Sequence, residues 1–218
     1  MVGALLFGLL FARPAAAACG GVKQAQASRD RVPGPYRAPL AIGDSVMLGA
    51  VEEMAWAGFE VNVRGCRQWT EGIDVMIARR RAGTLPRAVL VLLGANWNVY
   101  SHDIRRTLRV LGPQRVLVAL TPRETGGSGG SDAAVIRRAG RRWPDRVHVL
   151  DWVAHSAGQS GWFGGDGLHL TPSGAQALAS FSMRALEFAR PPTRDRWSAP
   201  TPTPAAGYSA PRRTLGTG

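Results

Sequence analysis

The chain is 218 residues long and 45% hydrophobic, enough for one domain with a substantial core and too little for two once its low-complexity ends are set aside. A net charge of +12 and a pI near 11.4 point first to nucleic acid, but the charge is spread, not clustered, and no DNA- or RNA-binding motif accompanies it. Residues 1–38 hold five basic and one acidic side chain and residues 191–218 hold four and one, so the ends carry +7 and the middle only +5.

Met1 to Ala12 is apolar and Ala15 to Ala18 supplies the small residues that a signal peptidase accepts, so residues 1–18 are expected to be a secretory signal. No other stretch approaches the roughly 18 apolar residues of a membrane span. The mature chain is therefore expected to be secreted or extracytoplasmic, with no stable membrane span. Cys19 and Cys66 are the two cysteines, and a secreted setting permits a disulfide between them without requiring one. Residues 19–37, through Arg31-Val32-Pro33-Gly34-Pro35, read as a linker.

From residue 38 onward, strand-like apolar runs alternate with helix-length segments. The runs are Pro39 to Gly43, Glu60 to Arg64, Arg87 to Leu93, Arg115 to Leu120 and Arg146 to Asp151. The helices are expected over Val46 to Ala57, Thr70 to Ala82, Ser101 to Leu111, Asp132 to Trp143 and Pro172 to about Ala189. Thr171 before Pro172 fits an N-cap followed by proline at the first helical position. This alternation predicts an α/β domain over residues 38–190 with a parallel sheet. The third and fourth runs are apolar throughout, as strands buried on both faces require. Arg79 to Arg81, Arg105, Arg106 and Arg109, and Arg137, Arg138, Arg141 and Arg142 are read as the solvated outer faces of helices. Residues 191–218, rich in Pro, Ala, Thr, Ser and Gly, are expected to be a disordered tail.

Ligands of such a sheet sit at the carboxyl ends of its strands. The first run ends in Gly43-Asp44-Ser45, the second in Arg64-Gly65-Cys66-Arg67 and the third in Gly94-Ala95-Asn96, while the loop after the fifth carries Asp166-Gly167-Leu168-His169. A serine hydroxyl is a weak nucleophile that needs a base and a group to orient that base. Ser45, His169 and Asp166 are the expected catalytic set. His102, His148 and His155 are rivals, and Asp151 with His155 mimics an acid–base pair, but the surrounding residues favour His169. No cluster has metal-ligand spacing, so neither a metal nor a cofactor is expected.

These blocks, in this order, resemble those of the SGNH or GDSL hydrolase family across roughly residues 38–190: Gly43-Asp44-Ser45, Gly94-x-Asn96 and Asp166-x-x-His169. The wording of Ile42 to Leu48, Cys66-Arg67-Gln68 and Asp166 to Gly174 is closest to the extracytoplasmic SGNH domains that accompany membrane acyltransferases, some of which O-acetylate peptidoglycan. The resemblance implies a three-layer α/β/α flavodoxin-like sandwich with a five-stranded parallel sheet in the order 2-1-3-4-5. It also implies a double displacement through an acyl-enzyme on Ser45. The oxyanion hole would comprise the Ser45 backbone N–H, the Asn96 amide and a backbone N–H from the second-strand turn, with Cys66 and Gly65 competing for that place. Trp97, Trp162 and Phe163 are the expected substrate-pocket residues. The expected activity is that of a secreted serine esterase acting on a small O-acyl group of a carbohydrate or lipid. Two alternatives are a cell-surface glycan O-acyltransferase and a non-catalytic wall-binding module. The expected partner is the acyl ester itself, with a cell-wall glycan as a candidate carrier and no nucleic acid; the expected state is a monomer.

Overall fold

Ala88–Leu92 and Val116–Leu120 are buried at every position, and that full burial requires helices on both faces of the sheet. The computed structural model, which describes residues 19–31 and 36–190, has this arrangement. The expected signal and tail lie outside the described residues. The strands are β1 (Lys23–Ala25), β2 (Leu40–Gly43), β3 (Glu60–Val63), β4 (Ala88–Leu92), β5 (Val116–Leu120) and β6 (Val147–Leu150). They form a six-stranded sheet in the order β1-β3-β2-β4-β5-β6. From β3 to β6 every pairing is parallel, which is the expected 2-1-3-4-5 order with one strand added at the edge.

That added strand corrects the five-strand expectation. It arises within the segment expected to be a linker and runs antiparallel to β3, with Lys23 opposite Val63 and Ala25 opposite Val61. Lys-Gln-Ala has no apolar alternation to mark it as a strand. It forms because β3 would otherwise expose an unpaired edge, and the Cys19–Cys66 disulfide holds it there.

The helices are α1 (Ser45–Leu48), α2 (Val51–Trp56), α3 (Trp69–Arg81), α4 (Ser101–Leu111), α5 (Gly130–Arg142), α6 (Trp152–His155) and α7 (Pro172–Ser182). Alternate strand residues feed two cores, as period-2 geometry demands. Leu90 and Leu92 pack with Met47, Met54, Leu178 and Phe181 from α1, α2 and α7. Val89 and Val91 pack with Ile73, Met76, Ile104 and Ile136 from α3, α4 and α5. Removing a large side chain from either layer costs about 2–5 kcal/mol. The arginines of α3, α4 and α5 are partly or fully exposed, in keeping with outer helix faces.

Two expected helices differ in detail. The one over Val46 to Ala57 is split at Gly49 and Ala50, whose N–H groups bond back three residues to Val46 and Met47, a tightened turn that ends α1. The last continues beyond Ser182 only as 3₁₀ turns over Met183–Ala189.

Gly43 fixes how closely α1 approaches the strand that precedes it. A Cβ there would lie 2.4 Å from the Met47 Cβ, and neither atom has a flexible arm with which to yield. Gly43→Ala is expected to destabilise the fold by about 1–3 kcal/mol through overpacking. Thermal unfolding should show this as a drop of about 2–4 °C per kcal/mol.

Candidate active site

Ser45 is the first residue of α1, directly after the carboxyl end of β2, and is half-buried. Asp44 makes the strand-to-helix turn: its backbone is extended, and its carboxylate accepts the Val46 N–H at 3.0 Å as the helix N-cap. The Ser45 N–H is one of the helix-start donors that have no intrahelical partner. Asp44 is 1% exposed, and burial raises its carboxyl from 3.8 to about 6. Hydrogen bonds from the Val46 and Ala95 N–H groups and the Asn96 side chain, together with nearby His169, oppose that rise. Asp44 thus ties the loop after β4 to the turn that presents Ser45.

The opposite side of the site is the loop that enters α7. Asp166 Oδ1 accepts the N–H groups of Leu168 and His169, each at 3.0 Å, so the carboxylate closes its own turn. Asp166 Oδ2 lies 2.5 Å from His169 Nδ1, and His169 Nε2 lies 3.0 Å from Ser45 Oγ. An ionised carboxylate only accepts, so Nδ1 carries the ring proton and Nε2 is left to accept the serine hydroxyl. The His169 hydrogen bond, followed by the two backbone N–H groups, lowers the Asp166 carboxyl to about 2. The two side chains remain 51% and 39% exposed, so the site opens directly to solvent.

Sequence reasoning passed over Arg123, which holds this loop. It stands just beyond β5 and donates from Nε to the Gly167 carbonyl at 3.1 Å and from Nη1 to Ser156 Oγ at 2.8 Å. Its guanidinium lies 3.9 Å from the Phe163 ring centroid. The strand-end rule that selected Ser45 also marks Pro122-Arg123. Arg67, named in the second-strand turn but given no role there, is buried and donates to the Gly43 carbonyl at 3.2 Å and the Asn62 carbonyl at 2.5 Å, pinning the end of β2.

Asn96 is exposed in the loop after β4, next to the Ala95 N–H that also serves Asp44. Cys66 occupies the turn after β3 with a φ of 56°, beside buried Gly65. Trp97 is 63% exposed. Phe163 is 6% exposed within the core layer of α7, meets Trp152 edge-on and lies under the Arg123 guanidinium. Trp162 is half-buried and stacked on Trp152. The rival pair is separated by its partners: Asp151 is bound by Arg137 and Thr121, while His155 stacks on Phe181 at 4.1 Å.

No family model matches the chain. Peptidoglycan O-acetyltransferase OatA of Listeria monocytogenes is 29% identical over 143 residues, covering 65% of this chain and 22% of that protein. O-acetyltransferase OatA of Staphylococcus aureus is 27% identical over 154 residues, 68% of this chain and 25% of that one. The chain thus spans about a quarter of the length of the curated relatives it matches. Among solved structures, the C-terminal catalytic domain of Streptococcus pneumoniae peptidoglycan O-acetyltransferase A superposes with a TM-score of 0.60 at 22% identity. That match covers 72% of this chain and 96% of the other. A carbohydrate esterase family 3 protein from Talaromyces cellulolyticus gives 0.51 at 13% identity, covering 68% and 95%. The chain shares the fold of the Streptococcus pneumoniae catalytic domain. In this domain the Gly43-Asp44-Ser45, Gly94-Ala95-Asn96 and Asp166-to-His169 segments meet at one edge of the sheet.

The state of Asp44 gives the domain a measurable signature. Its folded carboxyl is raised, so protonation favours the folded state, and that stabilisation, on the order of 3 kcal/mol, is lost as pH rises from about 4 through 6. Asp44→Asn cannot titrate. The unfolding midpoint of the wild type should therefore fall relative to that of the variant between pH 4 and 7, by differential scanning calorimetry; parallel curves would show that Asp44 is not held protonated.

Proposed function

We propose that this SGNH domain is an extracytoplasmic serine esterase that forms an acyl-enzyme on Ser45, with O-acetyl groups of cell-wall glycan as its substrate class. The observation that carries the reading is the unbroken hydrogen-bond chain from Asp166 through His169 to Ser45. Ser45 Oγ attacks the ester carbonyl carbon as His169 Nε2 takes the hydroxyl proton, and Asp166 holds the imidazole tautomer and stabilises the imidazolium. The oxyanion is held by the Ser45 N–H, the Asn96 side-chain amide and the Cys66 N–H, with Gly65 the alternative third donor. Collapse breaks the bond to the alcohol, which leaves with the Nε2 proton, and the acyl group remains on Ser45. A second hydroxyl then gives its proton to Nε2, takes the acyl group and frees the serine. Trp97, exposed beside Asn96, is placed to line the path of the acyl group.

That second hydroxyl belongs to water in the esterase reading and to a glycan in the transferase reading. Kinship with relatives named as O-acetyltransferases favours the transferase reading, while the solvent-open site admits water. The Cys19–Cys66 disulfide fits the oxidising setting outside the cytoplasm. A wall-binding module would have no use for an aligned serine and histidine.

The full chain is expected to hydrolyse 4-nitrophenyl acetate. Ser45→Ala should lower kcat by at least about 10³-fold, and Asn96→Ala should cost about 10²- to 10³-fold. No turnover by the wild type, or full turnover by Ser45→Ala, would defeat the reading. Supplying a chito-oligosaccharide and weighing the products by mass spectrometry separates transfer from hydrolysis.

A further inference from the structure

The arm that supplies β1 reaches the proposed active site through a covalent bond. Cys19 and Cys66 are joined across 47 positions of sequence with their Cα atoms 5.2 Å apart. Cys66 is the only non-glycine among the described residues with a positive φ, 56°. A side chain is disfavoured in that left-handed region, so a free turn would relax toward negative φ and swing the amide away from its present direction.

The surroundings oppose that relaxation from two sides. On one, β1 lies antiparallel along β3, which brings the arm against the turn after Val63. There the Cys19 carbonyl packs so closely on Gly65 that a Cβ at Gly65 would stand 2.5 Å from its oxygen. On the other, Arg67 bonds the Gly43 and Asn62 carbonyls and the Asn62 side chain, and its own N–H closes the turn on the Arg64 carbonyl at 3.4 Å. Arg67 fixes the exit of the turn and its distance from the Ser45 strand. The disulfide acts on Cys66 itself. Among the described residues no protein group accepts the Cys66 N–H.

We propose that the Cys19–Cys66 disulfide is a positioning device for the ester chemistry: Cys19 holds Cys66 at positive φ so that its backbone N–H stays aimed as the third oxyanion donor. This rests on the reading of Ser45 as nucleophile. Cys19 is thus a positioning residue, and the arm is a working part of the site.

The test compares full-length variants on 4-nitrophenyl acetate, below their unfolding midpoints. Cys19→Ser should keep the far-UV circular dichroism and a KM within about twofold while kcat falls about 10- to 100-fold, approaching the loss of one oxyanion donor. The paired variants Cys19→Ser/Cys66→Ala and Cys19→Ser/Cys66→Gly both lack the disulfide, but only glycine adopts positive φ without strain. The glycine variant should recover most of the lost kcat and the alanine variant none. A role confined to stability predicts lower midpoints in both with equal kcat, and that result would overturn the proposal. If Cys19→Ser does not fold, the wild type decides: on reaction with a phosphonofluoridate, the Cys66 amide proton should move downfield in the NMR spectrum. An unmoved Cys66 resonance in a labelled enzyme overturns this proposal and leaves the Ser45 reading standing, whereas a wild type with neither turnover nor labelling overturns both.

Discussion

The Ser45 hydroxyl and His169 Nε2 lie 3.0 Å apart although 124 positions separate them in sequence. Two rigid supports make that distance possible. Ser45 rides on β2, which is flanked by parallel partners on both sides and packed so tightly on α1 that Gly43 has no room for a Cβ. His169 rides on a loop that Asp166 closes internally and that Arg123 and the Gly126 N–H tie back to the segment after β5. The start of α7 completes the support, because Thr171 caps the helix and also bonds the Gly161 carbonyl. Each support is built from a different stretch of chain. The parallel sheet is what brings both to one edge.

Electrostatics divides the two carboxylates of the site by environment. Asp166 is solvent-open and hydrogen-bonded by a ring and two backbone donors, so it stays ionised down to about pH 2. Asp44, almost wholly buried, is raised toward about 6 and serves the backbone of the nucleophile turn. The first suits a group that stabilises an imidazolium, and the second suits a structural knot. The openness around His169 also suits an ester carried on a polymer, which can be approached along its length without being engulfed.

The central sheet was legible because its chemistry is uniform. β4 and β5 are unbroken apolar runs, and a strand buried on both faces leaves no other composition. Ser45, Asp166 and His169 were legible from residue type at strand ends, and the structure brings them together. β1 was not, because Lys23 and Gln24 carry no apolar signal and the strand exists through its pairing and its disulfide. The burial of Phe163 was not legible, because an aromatic beside such a loop reads equally well as wall or core. Its contacts with Trp152 and the Arg123 guanidinium place it in the structure. Arg67 and Arg123 were hidden among many arginines that do face solvent, since sequence does not distinguish a guanidinium bonded to carbonyls from one in water.

The central claim is that Ser45 is the activated nucleophile of the chain. Reaction of the folded full-length protein with a fluorophosphonate, followed by proteolysis and mass mapping, tests it most directly. The account predicts one adduct, on the peptide containing Ser45, formed by the folded protein and not by the denatured one. An adduct on any other residue, or none on the folded protein, would contradict it.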